Sequence, residues 1–373
     1  MSGRTIPSCG RRLTLAGDAW PEGATPPRSS KMKLSYEVIE LVPKRVFRTA
    51  RTTSASSRCV IVRISDGTIT GLGEAAPARF YGETADTVVE VLESVRGVVE
   101  DCAHEAELMA DLTSRGLKGN PSARAALEIA AHDMMGKRYG IPLYRHFELD
   151  PADAPLTTMS IGLDTPEVML EKAIEAADFP ILKVKLDAEI DLSIVRRIKE
   201  ATGSSITVDA NCAWTRDEAV EKATALARIG VEFLEQPVVA DDVEGLAYVR
   251  DRTDVPVFAD ESCPTSKQLP TVAPAVDGIV IKLMKCGGLV EAVKMARSAR
   301  ALGLKTMIGC MMESSLAITA AAHISPLMDY ADLDSGLLMT NDPFIGMKID
   351  GGRMSIPEEA GLGVHPAVKE KPC

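Results

Sequence analysis

The 373-residue chain reads as an α/β protein: a closed barrel of parallel strands with a smaller α+β unit ahead of it. Three observations carry this reading. Eight short apolar runs of strand character follow one another after residue 157, separated by helical patterns at near-equal intervals. Ionisable residues end five successive runs, namely Lys183 and Lys185, Asp209, Glu235, Asp260, and Lys282. They recur about every 25 residues, the length of a strand, a turn and a covering helix. Finally, no Gly-rich phosphate turn marks a doubly wound open sheet.

In chain order, residues 1–31 are rich in Gly, Pro, Ser and Arg and show no apolar period, so they read as a disordered extension, with Met32 as the working initiator. Arg11-Arg12 is not followed by the apolar stretch of an export signal. Residues 32–151 form the α+β unit. Alternating runs at 36–42, 59–64 and 69–74 read as an antiparallel meander turning at Asp66-Gly67, followed by helices over 84–98, 105–115 and 122–139, the last with Ser122 as N-cap. Residues 152–339 form the barrel, with strands near 158–162, 182–186, 206–211, 233–236, 257–261, 278–282, 306–310 and 330–333. Amphipathic helices such as 215–229 and 289–302 lie between them. The Gly- and Pro-containing segment 340–373 is expected to pack back on the first unit.

Composition narrows the class. Apolar content of 46% and charged content of 25% are those of a globular protein. A net charge of -11 with no Lys/Arg run argues against a nucleic-acid surface, and no apolar stretch approaches a membrane span of about 20 residues. The eight cysteines lack C-x-x-C or zinc-like spacing, which suits free thiols in the cytoplasm. The five histidines are scattered and read as surface or packing residues. No subunit interface is legible, so a homo-oligomer stays open.

In a β/α barrel the strands' C-terminal ends converge on one mouth. Lys183 and Lys185 are two apart and share a strand face, as do Asp209 with Asn211 and Asp332 with Asp334. Each charge alone suits a solvated strand end, but acids on three successive strands with lysines before and after them do not. Asp209, Glu235 and Asp260 offer oxygen donors suited to an octahedral Mg2+; no His or Cys joins them, which disfavours zinc or copper. An ion there would stabilise the enediolate left when an α-proton departs a carboxylate substrate. A lysine can take that proton if its pKa falls towards roughly 7–8, and Lys183 beside Lys185 supplies a like-charge field in that direction. Lys282 approaches from the opposite side, so removal of a proton on one face and its return on the other would invert a stereocentre. With a leaving group on the β-carbon, elimination or cycloisomerisation is open to the same site.

At these residues the sequence resembles the enolase superfamily, in its muconate-lactonising subgroup, over roughly 33–363. The marks are Leu-Lys-Val-Lys-Leu, Val-Asp-Ala-Asn, Glu-Gln-Pro, Ala-Asp-Glu-Ser and Ile-Lys-x-x-Lys-x-Gly-Gly, in the family's order. The resemblance implies a modified TIM-type (β/α)7β barrel under an α+β capping domain and one Mg2+ per subunit. It implies Asp209, Glu235 and Asp260 as metal ligands, Lys185 and Lys282 as the acid/base pair, and Lys183 as a substrate-carboxylate partner that tunes Lys185. Within the subgroup the chain is most similar to the L-Ala-D/L-Glu epimerases, through Ile-Leu-Lys-Val-Lys-Leu-Asp, Ala-Asp-Glu-Ser-Cys and Tyr-Ala-Asp-Leu-Asp. That implies a dipeptide as the small-molecule substrate, its free ammonium held by Asp332 and Asp334. Muconate-type cycloisomerase, o-succinylbenzoate synthase and N-acylamino acid racemase are the alternatives, and a non-catalytic barrel is a third class.

Side-chain specificity belongs to loops over the mouth, at 48–58 and 79–84. Arg51 is positioned to clamp a substrate carboxylate. Some Ala-Glu epimerases have arginine one position later, where this chain has Thr52. Phe80 and Tyr81 read as an apolar lid, and Asn211 and Glu261 as neighbours of the metal ligands. Glu313 fits either such a neighbour or the charge at a helix start, and Cys310 packs near the mouth. Lys285, in regular strand geometry, faces away from Lys282 and forms a structural ion pair.

Overall fold

A computed structural model describes residues 31–115 and 119–367; the extension expected over 1–31 lies, except for Lys31, outside them. The N-terminal unit contains β1 (Lys33–Leu41), β2 (Phe47–Arg48), β3 (Thr53–Ser54), β4 (Ser57–Ser65) and β5 (Thr70–Ala75). Strands β1, β4 and β5 pair antiparallel in that order, the meander read from the alternation. The short β2–β3 hairpin leaves no mark in the sequence, because two-residue strands carry no period.

Three helices follow: α1 (Ala85–Asp101), α2 (Glu105–Arg115) and α3 (Pro121–Tyr139). The α3 cap differs from the expected Ser122. Asn120 takes the place, its side chain accepting from Ala123 N at 2.9 Å, because Pro121 fills the first helical position, where a missing N–H costs nothing. Ser122 instead donates its hydroxyl to Glu83 at 2.9 Å. Strand β5 lies directly on α3: a Cβ on Gly73 would stand 1.9 Å from Ala126 O, so only glycine allows this approach.

The barrel strands are β6 (Met159–Ile161), β7 (Ile181–Lys185), β8 (Ser205–Asp209), β9 (Leu234–Glu235), β10 (Val257–Ala259), β11 (Gly278–Lys282), β12 (Lys305–Gly309) and β13 (Tyr330–Asp332). They pair in parallel in strictly sequential order. The two edges meet through the Thr157–Ala331 bridge and a hydrogen bond from Thr158 N to Ala331 O of 2.9 Å. Covering helices include α4 (Leu143–His146), α5 (Pro166–Glu175), α6 (Ser193–Thr202), α7 (Arg216–Ile229), α8 (Val243–Arg250), α9 (Leu269–Val272), α10 (Leu283–Cys286), α11 (Leu289–Ala301) and α12 (Ser315–Ile324). Only the one-turn α13 (Ser335–Leu338) follows β13, so seven strand–helix units precede a last bare strand, the (β/α)7β form. Thr215 caps α7 in a reciprocal box with Glu218, the local signal that makes this helix readable.

Phe233, Phe258, Val280, Met307 and Tyr330 plug the barrel interior from positions that precede the functional residues. The Phe233 and Phe258 rings stack with centroids 4.1 Å apart. Beyond Met339 the chain touches the first unit. Thr340 N bonds Val42 O at 2.8 Å, and Leu362 N bonds Asp133 Oδ1 at 2.8 Å.

His323 on α12 ties three parts together. Its Nδ1 accepts from Tyr144 N at 3.2 Å and its Nε2 donates to Leu362 O at 3.1 Å. Burial lowers its pKa to about 4, so the imidazole stays neutral in the fold while an unfolded histidine protonates near 6.5. Between those values the unfolded chain binds more protons, so stability is full above pH 6.5 and lost as pH falls towards 4. The expected loss from this residue is on the order of 3 kcal/mol. Urea unfolding of wild type and His323→Gln at pH 7.5 and 4.5 checks this: the variant should lose less on acidification.

Candidate active site

Every charged residue singled out at a strand end reaches the same mouth. Lys183 and Lys185 end β7, Asp209 ends β8, Glu235 ends β9 and Lys282 ends β11, while Asp260 follows β10 directly. Strand order fixes their placement. Strands β7 and β11 stand four apart in a ring of eight, on opposite flanks. The acids of β8, β9 and β10 fill the arc between them, and Asp332 with Asp334 occupies the facing arc at β13.

All of these side chains are buried, and the contacts among them are direct. Lys185 Nζ donates to Asp209 Oδ2 at 2.5 Å, and Lys282 Nζ to Asp260 Oδ2 at 2.8 Å. Lys183 Nζ lies 2.8 Å from Glu235 Oε2, 2.8 Å from Asp332 Oδ2 and 3.3 Å from Asp209 Oδ2. Burial works against each charged form, but the neighbours decide the outcome. Asp209 and Asp260 are held below the usual carboxylate range by the lysines beside them. Glu235 is pushed up to about 8, first by burial and then by the charge of Asp209. Burial favours neutral Lys183 and Lys282, yet the acids outweigh it and raise both. At Lys183, three carboxylates at contact distance decide the balance.

Asp332 and Asp334 sit on the closing seam of the barrel. Thr158 Oγ1 donates to Asp332 Oδ1 at 2.7 Å, and Ser160 N to Asp334 Oδ2 at 2.6 Å. Burial tends to raise Asp332, but Lys183 and Lys185 outweigh that and lower it. Asp334 is pushed up to about 7 by burial and by Asp332.

Three neighbours of the acids emerge from the contacts. Asn211 clamps Asp209, its N–H to Oδ1 at 2.8 Å and its Nδ2 to Oδ2 at 3.2 Å. Gln236, unremarked in the sequence beyond the Glu-Gln-Pro motif, links β9 to β10. Its Oε1 accepts from Asp260 N at 3.0 Å and Ser262 N at 3.1 Å. Asn211, Cys212 and Gln236 have φ of 44°, 67° and 37°, left-handed conformations that cost non-glycine residues of order 1–3 kcal/mol each. Lys285 overturns its expected orientation. The chain leaves strand geometry at Lys282, and α10 turns the Lys285 ammonium back onto Asp260 Oδ1, Asp260 O (2.8 Å) and Val280 O (2.9 Å). The ion pair stands, but its partner is a mouth acid.

Among the described residues no three acidic, histidine or cysteine side chains already converge as an ion cage. Lysine ammoniums supply the cationic charge between the acids instead. The donor set nevertheless suits a hard cation: it is all oxygen, and both buried Glu235 oxygens lack an aligned hydrogen bond although Lys183 Nζ is close.

Over the mouth, the turn joining β2 to β3 brings Arg51 against Glu261, with Nη1 3.5 Å from Cys212 Sγ and the guanidinium 4.1 Å from the centroid of Phe80. Phe80 and Tyr81 meet edge to face at 4.9 Å. Glu313 is buried, accepts from Met311 N at 2.8 Å, and is pushed up to about 8 by burial.

Comparison with known proteins agrees with this architecture. Residues 35–146 match the N-terminal domain of the mandelate racemase / muconate lactonizing enzyme family, and residues 168–371 match the enolase C-terminal domain-like family. An L-Ala-D/L-Glu epimerase of Bacteroides thetaiotaomicron is 37% identical over 94% of this chain and 93% of its own. The structure of a dipeptide epimerase from Enterococcus faecalis V583, complexed with Mg and L-Leu-L-Tyr, superposes with a TM-score of 0.84 at 33% identity, covering 90% of this chain and 99% of that one. The substrate-liganded L-Ala-D/L-Glu epimerase of Bacillus subtilis has a TM-score of 0.84 at 32% identity, covering 91% and 100%. The chain belongs to the enolase superfamily, in the mandelate racemase / muconate-lactonizing family, as an isomerase of its dipeptide-epimerase group. No helix among the described residues is long and apolar enough to cross a membrane.

Proposed function

We propose that the protein epimerises a dipeptide at the α-carbon of its C-terminal residue, with one Mg2+ per subunit. The observation that carries this reading is the placement of Lys185 and Lys282 on opposite flanks of the mouth, with three acids on one arc between them and two on the other. Asp209, Glu235 and Asp260 would hold the ion, which when bound supplies positive charge to the substrate carboxylate as its α-proton leaves. Lys183, at the floor of the mouth, steadies that carboxylate. Asp332 and Asp334 receive the dipeptide's free ammonium across the site from the metal ligands. One lysine removes the α-proton and the other delivers a proton to the opposite face, which inverts the centre. Arg51, Phe80 and Tyr81 cover the C-terminal side chain and exclude water.

Incubation of L-Ala-L-Xaa dipeptides with enzyme and Mg2+ in D2O should place one deuterium on the C-terminal α-carbon and yield both epimers. Dipeptides that show no label, with an N-acylamino acid that does, would remove the reading. One observation favours that second reading: Asp332 is already occupied by Thr158, Ser160 and Lys183. Asp332→Asn separates the two. Dipeptide turnover should fall by about 100-fold if Asp332 binds an ammonium, and hold if the substrate has none.

A further inference from the structure

The charge available to a substrate side chain at the mouth is not that of a free Arg51. Glu261 follows Asp260 on the rigid barrel and has 1% side-chain exposure, whereas Arg51 stands on the β2–β3 turn with 29%. Both Glu261 oxygens lack an aligned hydrogen bond, so the guanidinium against them is their direct compensation. The other faces of that guanidinium are taken by Cys212 Sγ and the Phe80 ring. The turn is itself pinned, with Thr49 N bonding Thr52 O at 2.9 Å and Leu163 N bonding Arg48 O at 2.9 Å. Arg51 thus bridges the capping unit to the ends of β8 and β10, already neutralised.

We infer that Glu261, by holding Arg51 in a closed ion pair, makes the site select a C-terminal residue with a neutral side chain and reject an acidic one; this rests on the dipeptide reading above. If the reacting α-carbon lies between Lys185 and Lys282 with its carboxylate toward the acids, its side chain projects toward Arg51, Phe80 and Tyr81. An acidic side chain has two options there. It draws Arg51 away and leaves Glu261 buried and uncompensated beside Asp260, or it stays next to Glu261 and is repelled. A neutral side chain disturbs neither charge and lies against the Phe80 ring and the Arg51 stem. A basic side chain can replace Arg51 at Glu261, but only once Arg51 is gone. The fixed charge of the subsite is therefore the buried carboxylate, and the arginine is its counter-ion.

The test measures α-deuteration kcat/KM on L-Ala-L-Leu, L-Ala-L-Glu and L-Ala-L-Lys with Mg2+-loaded wild type, Glu261→Gln and Arg51→Met, with Mg2+ affinity by calorimetry. Wild type should favour the leucine over the glutamate dipeptide by about tenfold or more. Glu261→Gln should free Arg51 and move that ratio toward glutamate by about tenfold or more, and Arg51→Met should raise the lysine dipeptide relative to leucine by a similar factor. Equal or better wild-type turnover of the glutamate dipeptide overturns the inference, as do unchanged ratios in Glu261→Gln with Mg2+ binding intact. If Glu261→Gln does not fold or load, the lysine/leucine ratio of Arg51→Met decides, and an unchanged ratio overturns it. Exchange with dipeptides at unchanged ratios sinks only this inference, whereas no exchange with any dipeptide sinks the functional reading as well.

Discussion

Lys282→Ala is expected to lower epimerisation by roughly 10^2–10^4-fold, the span of a lost general acid or base, while exchange of one epimer's α-proton with solvent survives. The asymmetry follows from the barrel. Lys282 ends β11 and Lys185 ends β7, with β8, β9 and β10 between them on one side, so in the proposed reaction each lysine would serve one face of a substrate held between them. Without Lys282 the β7 lysine can still remove and restore a proton on its own face, giving label without inversion. Deuterium incorporation followed separately from each epimer, alongside chiral chromatography, reads both quantities. Lys185→Ala should give the mirror result. If either variant abolishes exchange from both epimers equally while remaining folded, the two lysines do not divide the faces. Asp260 stays compensated in Lys282→Ala, because Lys285 holds its other oxygen, so collapse of the site does not account for the loss.

How far these roles were legible in the sequence depends on what each residue needs from its surroundings. The eight strands and their charged ends could be read because parallel barrel strands are short apolar runs that stop at the mouth, and Lys185, Asp209 and Lys282 close those runs. Side-chain alternation placed Lys183 with Lys185 correctly but failed at Lys285. Alternation presumes a continuing strand, and the chain enters α10 immediately after Lys282. Ser122 failed as a cap for a related reason: Pro121 takes the first helical position, which moves the cap two residues back to Asn120. Arg51 was legible as a cation on a mouth loop but not as a paired one. Its partner Glu261 is 210 residues away and had no local reason to face it. The raised Glu235 and Asp334 likewise arise from packing acids from different strands together, which no window of sequence records.

Glu235→Gln should abolish measurable Mg2+ binding while making the metal-free protein more stable. Glu235 is fully buried, its oxygens lack aligned hydrogen bonds, and it faces Asp209 and Asp260 across the same arc. Burying a carboxylate under those conditions is costly; burial and Asp209 together push its pKa up to about 8, so the folded chain takes up a proton there that the unfolded chain, titrating near 4.3, does not hold at neutral pH. Folding stability carried by that extra proton falls as pH rises from the unfolded value through about 8, because the native state then binds more protons than the unfolded one. Glutamine keeps the shape and removes the ionisation, so the metal-free variant should gain on the order of 1–2 kcal/mol at pH 8 and lose this component of pH dependence. The same change removes one of three anionic donors from the proposed ion site, for which a neutral amide oxygen is a weak substitute. Calorimetric Mg2+ titration and urea melts in EDTA therefore move in opposite directions in one variant. A side chain present only to stabilise the fold would lower the second without touching the first. Opposed signs are what Glu235 should show if it is held for a cation, because a bound cation would offset the burial and the Asp209 charge that disfavour its ionised form.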